Sequence, residues 1–163
     1  MDSAVAFQQH CREDREGDAP HLPGWSVEDW RSLFARTQPV SLASGEVLIR
    51  RGELDRALYF VIAGALEVTA RAGRGDALGK LFREQPGSVL GEVSLFDGRP
   101  RTANVWATEP STLLRLDLEA LQAFTTEHPA LGRDLLFALG RVLALRLRRG
   151  EQRGGEQRGF AGG

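Results

Sequence analysis

The chain has 163 residues, 42% of them hydrophobic and 26% charged, and its 21 basic side chains are balanced by 22 acidic ones. This composition is typical of a soluble globular domain and argues against a basic scaffold around which nucleic acid wraps. The single cysteine, Cys11, excludes an intrachain disulfide and favours a reducing compartment, and no apolar run is long enough for a membrane span or a secretory signal. We therefore expect a cytoplasmic protein with no membrane and no nucleic-acid partner.

The first residues are polar and rich in carboxylates, and we expect residues 1–24 to form a flexible arm. His10, Cys11 and His21 are the potential metal ligands that cluster there. Their spacing fits no zinc pattern and a fourth ligand is missing, so we expect no metal site. The folded domain is expected to cover residues 25–149.

The start of that domain carries the signals of a short helix. Ser26 is a good N-cap residue, and Asp29 follows three residues later, in the first turn. Apolar residues then recur at helical spacing. These features predict a helix from about 26 to 36, which ends before Pro39.

Glycines separate short apolar runs through the middle of the chain. The runs are Val47–Ile49, Leu58–Ile62, Leu66–Ala70, Lys80–Phe82, Ser88–Leu90, Ala103–Ala107 and Thr112–Leu116. Seven or eight short strands at this spacing predict a mainly β fold, a sandwich or a jelly-roll β-barrel (double-stranded β-helix), with helices at its flanks. The glycine-rich segment Arg71–Gly79 is expected to be a hairpin loop.

Helical periodicity returns towards the C-terminus. Asp117 is a suitable N-cap for a short helix over 118–124, and a His-Pro pair interrupts the pattern after it. Leucines and valines then recur every three or four residues, which predicts a longer amphipathic helix over about 130–149. The tail, residues 150–163, repeats Glu-Gln-Arg-Gly and is expected to be disordered.

One segment between two predicted strands carries the chemistry, and it reads GSVLGEVSLFDGRPRTANV over residues 87–105. Gly91 lets the backbone approach a ligand closely, because it has no side chain. Glu92 is an acceptor suited to a sugar hydroxyl, and Arg101 supplies a permanent charge with a fork of donors for phosphate oxygens. Val93–Phe96 is long enough for one helical turn, whose free N–H groups favour an anion. Together these features describe a pocket for a phosphorylated sugar.

This segment resembles the phosphate-binding cassette of cyclic nucleotide-binding domains, in which Gly-Glu-apolar-Ala-Leu is followed, after four variable residues, by Pro-Arg-small-Ala-Thr. The spacing from Glu92 to Arg101 is intact. A second stretch resembles the strand-turn-strand landmark of the same family. Its matching residues are Gly52, Asp55, Tyr59–Ile62 and Gly64. The resemblance covers about residues 27–149.

The resemblance implies a role for individual residues. Glu92 would bind the ribose 2′-hydroxyl, and Arg101 would pair with the cyclic phosphate. The implied ligand-binding residues are Gly91, Glu92, Val93, Ser94, Arg101, Thr102 and Ala103. The predicted helix over 130–149 would be the lid that closes over the purine. The candidate lid contacts are Leu143, Arg146 and Leu147.

The cassette departs from the family pattern at two positions. Ser94 replaces the commoner Ala, and Asn104 replaces the commoner Thr or Ser. Thr102-Ala103-Asn104 also resembles the version in cGMP-dependent kinases, where a Thr after the Arg contacts guanine. A hydroxyl there could equally bind the phosphate of cAMP, so we expect cAMP as the ligand, with cGMP as the alternative.

Other interpretations of the same residues are open at this stage. Arg101 could be a surface arginine paired with Asp97, and Glu92 could merely cap the short turn. A jelly-roll enzyme would bind a metal through histidines on its strands, whereas the 3 histidines of this chain lie outside the predicted barrel. A degenerate domain would keep the fold and act as a protein-interaction module without ligand.

We expect a non-enzymatic sensor with no catalytic residue and no cofactor besides its cyclic nucleotide. Ligand binding would move the C-terminal helix and so act on an effector protein, and the same helix could pair with a second copy of the chain. Too few residues follow position 149 for a helix-turn-helix, and the length leaves no room for a fused kinase, channel or transporter. The domain is therefore expected to stand alone.

Overall fold

The computed structural model describes residues 2–70 and 80–158, and for residues 70, 80 and 151–158 it describes the backbone alone. The expected hairpin loop, Arg71–Gly79, lies outside the described residues. Within them, the helices are α1 (Ser3–Glu13), α2 (Val27–Phe34), α3 (Glu92–Asp97), α4 (Leu118–Glu127) and α5 (Pro129–Arg158). The strands are β1 (Gln38–Leu42), β2 (Val47–Ile49), β3 (Leu58–Ala63), β4 (Leu66–Ala70), β5 (Lys80–Glu84), β6 (Val89–Leu90), β7 (Ala103–Ala107) and β8 (Ser111–Leu116).

The strands form two antiparallel sheets of four, in the orders β1-β8-β3-β6 and β2-β7-β4-β5. One apolar core lies between the sheets and draws on strands of both. A second core lies between the first sheet and the helices. The predicted mainly β jelly-roll with flanking helices is confirmed.

Strand β3 shows how one strand serves both cores. Successive side chains of a strand point to opposite faces. Tyr59 and Val61 therefore lie in the core between the sheets, while Leu58 and Phe60 lie in the core beneath the helices. All four are buried, which explains the continuous apolar run in place of alternation.

The strand β1 was not among the predicted runs. It pairs with β8 at the edge of its sheet, and Pro39 lies opposite Leu114. Proline has no N–H to donate to a ladder, so it is tolerated on an edge strand and disfavoured in a central one. The proline that ends the predicted helix is therefore also part of a strand.

The helices near both ends of the domain confirm the capping predictions. Ser26 and Asp29 form a reciprocal capping box at the start of α2. Asp117 accepts a hydrogen bond from Ala120 N–H (2.8 Å) at the start of α4. Because each cap satisfies N–H groups that lack an intrahelical partner, the polar residue before the apolar run marks the helix start.

The structure differs from the expectation of a flexible arm over residues 1–24. The helix α1 packs on α2 and β3, and Phe7 is fully buried. Its ring lies edge-on to Trp30 and Phe60, with centroids 5.1 and 5.5 Å away. Burying one phenylalanine contributes about 1.5–3 kcal/mol, which favours docking of a helix whose sequence is otherwise polar.

The structure also differs at the C-terminus, where residues 150–163 were expected to be disordered. The helix α5 continues to Arg158, and residues 159–163 lie outside the described residues. Glu, Gln and Arg are good helix formers, so a helix already nucleated can propagate through them despite the glycines. Among the described residues, no helix combines the length and the apolarity needed to cross a bilayer.

Candidate functional site

A cavity of about 870 Å³ is lined by residues of both sheets, of α3 and α5, and of the segment after α1. This volume falls in the range of about 300–1,000 Å³ that small-molecule sites occupy. The cavity is lined by all the residues that the family resemblance implies as ligand contacts: Gly91, Glu92, Val93, Ser94, Arg101, Thr102 and Ala103. Its inner wall is apolar and is formed by Ile49, Val68, Leu90 and Val105.

Gly91 is the N-cap of α3 and has a φ of 90°, a left-handed conformation that side chains disfavour. A Cβ at this position would lie 2.5 Å from Arg101 Nη1 and 2.6 Å from the Ala57 carbonyl oxygen. Any larger residue would therefore displace the arginine from the cavity wall. The glycine of the Gly-Glu pair is required by the close approach of Arg101 as well as by the turn.

Arg101 is 4% exposed, and three hydrogen bonds hold its guanidinium. Nη1 donates to the Gly91 carbonyl (3.2 Å), and Nη2 donates to the Ala57 carbonyl (2.7 Å) and to Asp55 Oδ2 (3.1 Å). Nε is buried and has no hydrogen-bond partner among the described residues. The acidic partner is therefore Asp55, and the alternative of a surface pair with Asp97 is wrong.

The partnership of Asp55 and Arg101 joins the two sequence landmarks. Burial opposes ionisation of Asp55, but hydrogen bonds from Ala57 N–H and Arg101, with the charges of Arg101 and Arg115, hold its pKa below the usual value. Arg115 Nη2 lies 3.3 Å from Asp55 Oδ1. Asp55 thus stays ionised and orients Arg101, although its own side chain is 33% exposed and does not line the cavity.

The first turn of α3 lies against the cavity. The first helical hydrogen bond runs from Leu95 N–H to the Gly91 carbonyl (3.1 Å), so the N–H groups of Glu92, Val93 and Ser94 precede it. Ser94 is 2% exposed, so its small side chain lets the turn pack closely. The arrangement places backbone donors beside the guanidinium of Arg101.

Glu92 is 5% exposed, and its Oε1 lies 2.9 Å from Nη1 of Arg146 on α5. The N-cap of α3 is Gly91 and has no side-chain cap, so Glu92 does not act as the cap of this turn. The carboxylate that was expected to meet a ribose hydroxyl is instead paired with the last helix. A carboxylate has two oxygens, which leaves Oε2 as an acceptor for a ligand.

Arg146 belongs to an ion-pair cluster formed by Asp18, Glu84, Glu92, Arg146 and Arg149. Its Nε donates to Asp18 Oδ1 (3.0 Å), and its Nη2 donates to the Val89 carbonyl (2.8 Å) and lies 3.4 Å from Glu84. Burial opposes the charge of Arg146, but Glu92, Glu84 and Asp18 raise its pKa above the usual value. The arginine is therefore a fixed cation held by four segments of the chain: the turn after α1, β5, β6 and α3.

Glu84 is the unusual member of this cluster. Burial raises the pKa of Glu84 to about 7, against the charge of Arg146, which lowers it. The neighbouring carboxylates Asp18 and Glu92 raise it further. With every member ionised, three carboxylates face two guanidinium groups, so the cluster carries one net negative charge.

The candidate lid contacts differ in position. Arg146 lines the cavity. Leu143 is half-buried and Leu147 is 65% exposed, and neither side chain forms part of the cavity wall. The helix α5 therefore reaches the cavity through arginines, with Arg149 beside Arg146.

Sequence reasoning missed Asp18, Glu84 and Arg149, which also line the cavity. Because side chains alternate along a strand, Glu84 lies on the same face of β5 as Phe82, which also lines the cavity. This alternation is a signal that could have identified Glu84 from the sequence. Asp18 stands in no motif and meets α5 only in the folded chain. His10 lines the cavity as well, although the sequence placed the histidines outside the barrel.

Residues 39–128 match the model of a family described as the cyclic nucleotide-binding domain. The chain is 32% identical over 120 residues to a CRP-like cAMP-activated global transcriptional regulator of Mycobacterium tuberculosis, covering 72% of this chain and 50% of that protein. It is 38% identical over 88 residues to a cAMP-dependent protein kinase regulatory subunit of Blastocladiella emersonii, covering 53% of this chain and 21% of the other.

Solved structures show the same fold. A cyclic nucleotide-binding domain from Methylobacillus flagellatus superposes with a TM-score of 0.75 at 24% identity, covering 93% of this chain and 83% of the other. The Thermus thermophilus catabolite activator protein gives a TM-score of 0.70 at 28% identity, covering 83% and 61%. The chain spans about half the length of the transcriptional regulator that it matches.

Proposed function

Since the chain belongs to the cyclic nucleotide-binding domain family, we propose that it is a sensor that binds a 3′,5′-cyclic mononucleotide in the barrel cavity. The observation that carries this proposal is Arg101, a buried cation in the cavity wall whose Nε has no hydrogen-bond partner among the described residues. A buried donor without a partner is costly, and a phosphate oxygen would satisfy it. The adjacent N–H groups of Val93 and Ser94, with Thr102, would complete the anion cradle.

The ribose would lie against Glu92. Its carboxylate is buried, and Arg146 occupies one side of it. The second oxygen would accept a hydrogen bond from the 2′-hydroxyl, which distinguishes a ribonucleotide from its 2′-deoxy analogue. The ring phosphate and the sugar would thus be bound by one segment of the chain, which comprises α3 and the residues after it.

We favour cAMP over cGMP. The Mycobacterium tuberculosis and Blastocladiella emersonii relatives are a cAMP-activated regulator and a cAMP-dependent kinase subunit by name. The hydroxyl of Thr102, which follows Arg101 and lines the cavity, suits a phosphate oxygen of cAMP as well as a guanine edge. The choice between these ligands therefore rests on the relatives, and the titration below decides it.

The proposed output is the position of α5. A ligand shifts this helix only if it contacts one position better than another, and Arg146, which lines the cavity and pairs with Glu92, would provide such a contact. Phe137 and Leu147 are 76% and 65% exposed, and together with Gly140 and Ala144 they repeat at heptad spacing. This stripe is suited to a second copy of the chain or to an effector protein, and we propose no catalytic step.

The proposal is tested by calorimetric titration of the protein with cAMP, cGMP and a cyclic dinucleotide, with 5′-AMP as the control for nucleotide chemistry without a ring phosphate. We expect one cAMP per chain, recovered unhydrolysed. Failure of all three cyclic ligands to bind or to raise the melting temperature would contradict the sensor and leave the degenerate interaction module in its place.

A further inference from the structure

The segment between α1 and α2 lies outside residues 39–128, which match the family model, yet it forms part of the cavity wall. The Asp14 side chain accepts hydrogen bonds from the N–H groups of Gly17 (2.9 Å) and Ala19 (3.4 Å), which closes a turn. Val89 N–H donates to the Asp18 carbonyl (3.2 Å) and fastens this turn to β6. The turn is thus fixed to the barrel beside the cavity.

The same turn lies directly against α5. Gly17 has a φ of 84°, and a Cβ there would lie 2.6 Å from Leu145 Cδ1. The next residue, Asp18, is 9% exposed and accepts hydrogen bonds from both arginines of α5 that line the cavity. Arg149 Nη2 donates to it at 2.7 Å and Arg146 Nε at 3.0 Å. Asp18 is therefore a buried anchor for the part of α5 that reaches the site.

Arg146 transmits this anchoring to Glu92. Its planar guanidinium uses Nε for Asp18 and Nη1 for Glu92, so the two carboxylates are held by opposite ends of one rigid group. Hydrogen bonds of this charge-assisted kind are the stronger ones in proteins. When Asp18 fixes Nε, the direction of Nη1 and the orientation of the Glu92 carboxylate are fixed with it.

We propose that Asp18 is a positioning residue of the nucleotide site, which orients Glu92 through Arg146 and so sets the discrimination between ribose and 2′-deoxyribose. This inference rests on the proposed function for its ligand. The turn that Asp14 closes lies outside residues 39–128, which match the family model, and this inference makes it a part of the nucleotide site.

The test compares Asp18→Ala with Asp2→Ala. Asp2 is a matched control, because it also lies at the N-terminus and pairs with an arginine (Arg31, 2.7 Å) but does not line the cavity. The dissociation constants of cAMP and 2′-deoxy-cAMP are measured for each protein. We expect the dissociation constant of 2′-deoxy-cAMP divided by that of cAMP to fall by about tenfold in Asp18→Ala, which is the effect of one charge-assisted hydrogen bond. The same ratio should stay unchanged in Asp2→Ala.

A purely structural role for Asp18 would weaken both ligands alike and leave the ratio unchanged, and that result overturns the inference. Asp18→Asn is the second variant, since its amide oxygen can still accept one hydrogen bond. It should give an intermediate ratio, and it decides the matter if the alanine variant does not fold. An unchanged ratio in the foldable variant likewise overturns the inference.

Failure of the proposed function is a separate result. If the unmodified protein binds no cyclic mononucleotide, amide hydrogen exchange of residues 140–150 without ligand replaces the affinity ratio. Faster exchange in Asp18→Ala than in Asp2→Ala supports the anchoring of α5 by Asp18. Equal exchange in the two variants overturns it.

Discussion

Arg146 Nη1 on α5 lies 2.9 Å from Glu92 Oε1 on α3, and both side chains are largely buried. This contact couples the acceptor proposed for the ribose to the helix proposed as the output. A ligand that changes the hydrogen bonding of Glu92 must also change the environment of Arg146. To reverse a 1:99 equilibrium of α5 positions, such coupling would have to supply about 5.5 kcal/mol.

The first prediction concerns Arg101. Replacing it by alanine removes the buried cation and should weaken cAMP binding by about 100- to 1,000-fold, as expected for the loss of charge-assisted hydrogen bonds to a phosphate. Asp55 keeps its pairing with Arg115, so the barrel should remain folded. Calorimetry and circular dichroism measure the two effects.

The control for this variant is Arg99→Ala, since Arg99 is exposed in the same loop. It should bind cAMP like the unmodified protein. Equal affinity in Arg101→Ala would exclude Arg101 as the phosphate contact.

The second prediction concerns the charge of Glu92. Glu92→Gln keeps the size of the side chain but weakens it as an acceptor, so the preference for cAMP over 2′-deoxy-cAMP should fall by about three- to tenfold. Competition with a fluorescent cyclic nucleotide gives both affinities. Glu119→Gln, at an exposed position of α4, is the matched control and should keep the preference. An undiminished preference in Glu92→Gln would remove Glu92 from the ribose contact.

The sequence predicts much of this site because the site is local. Glu92 and Arg101 lie in one segment, and glycines, short apolar runs and a capping residue define the elements around them. The period of two in β7 and the capping box of α2 are decided by neighbouring residues alone. The local structure that such signals predict is therefore found in the folded chain.

The parts that the sequence missed depend on distant partners. Asp18 meets Arg146 and Arg149 only in the folded chain, and α1 is stabilised by the aromatic core around Phe7. The edge strand that contains Pro39 forms because β8 offers a free edge. Nothing in the neighbouring sequence of these residues specifies the partner.

The third prediction concerns pH and Glu84, whose pKa is raised to about 7 from 4.5 by burial. The folded chain then holds this proton more tightly than the unfolded chain. The free energy of unfolding should therefore fall as pH rises from about 4.5 through about 7, by roughly 2–4 kcal/mol in total. Asp18 and Asp55 have lowered pKa values, so their contributions are lost only in more acidic solution.

Urea unfolding at pH 5.5 and pH 8 measures this dependence. Glu84→Gln resembles the protonated form and should lose most of the difference between the two pH values. The exposed Glu119→Gln should keep it. An equal pH dependence in Glu84→Gln and the unmodified protein would assign the effect to other groups.

The fourth prediction concerns the exposed stripe of α5. Replacing Phe137 by glutamate places a charge on a ring that is 76% exposed, so the monomer should keep its stability. If the stripe pairs two chains, Phe137→Glu should sediment as a monomer at concentrations where the unmodified protein is dimeric. The exposed Arg133→Glu, on the same helix, is the control for added negative charge. A dimer that survives Phe137→Glu would exclude the stripe as its interface.

The last prediction concerns the part of α5 that reaches the cavity. Leu135, Leu139 and Val142 are buried in the core, so a truncation must leave them in place. A chain that ends after residue 145 keeps these side chains and removes Arg146 and everything after it. Because the cavity then loses Arg146 and Arg149 from its lining and Glu92 loses its partner, cAMP should dissociate about 10- to 100-fold faster.

Stopped-flow displacement of a fluorescent cyclic nucleotide measures these rates. The matched control ends after residue 151, which keeps Arg146 and Arg149 but removes most of the terminal segment. It should release cAMP at the rate of the full chain, because the contacts that α5 makes with the cavity are retained. If the two truncated chains release the ligand equally slowly, α5 is not the lid, and its coupling to Glu92 has no effect on the bound nucleotide.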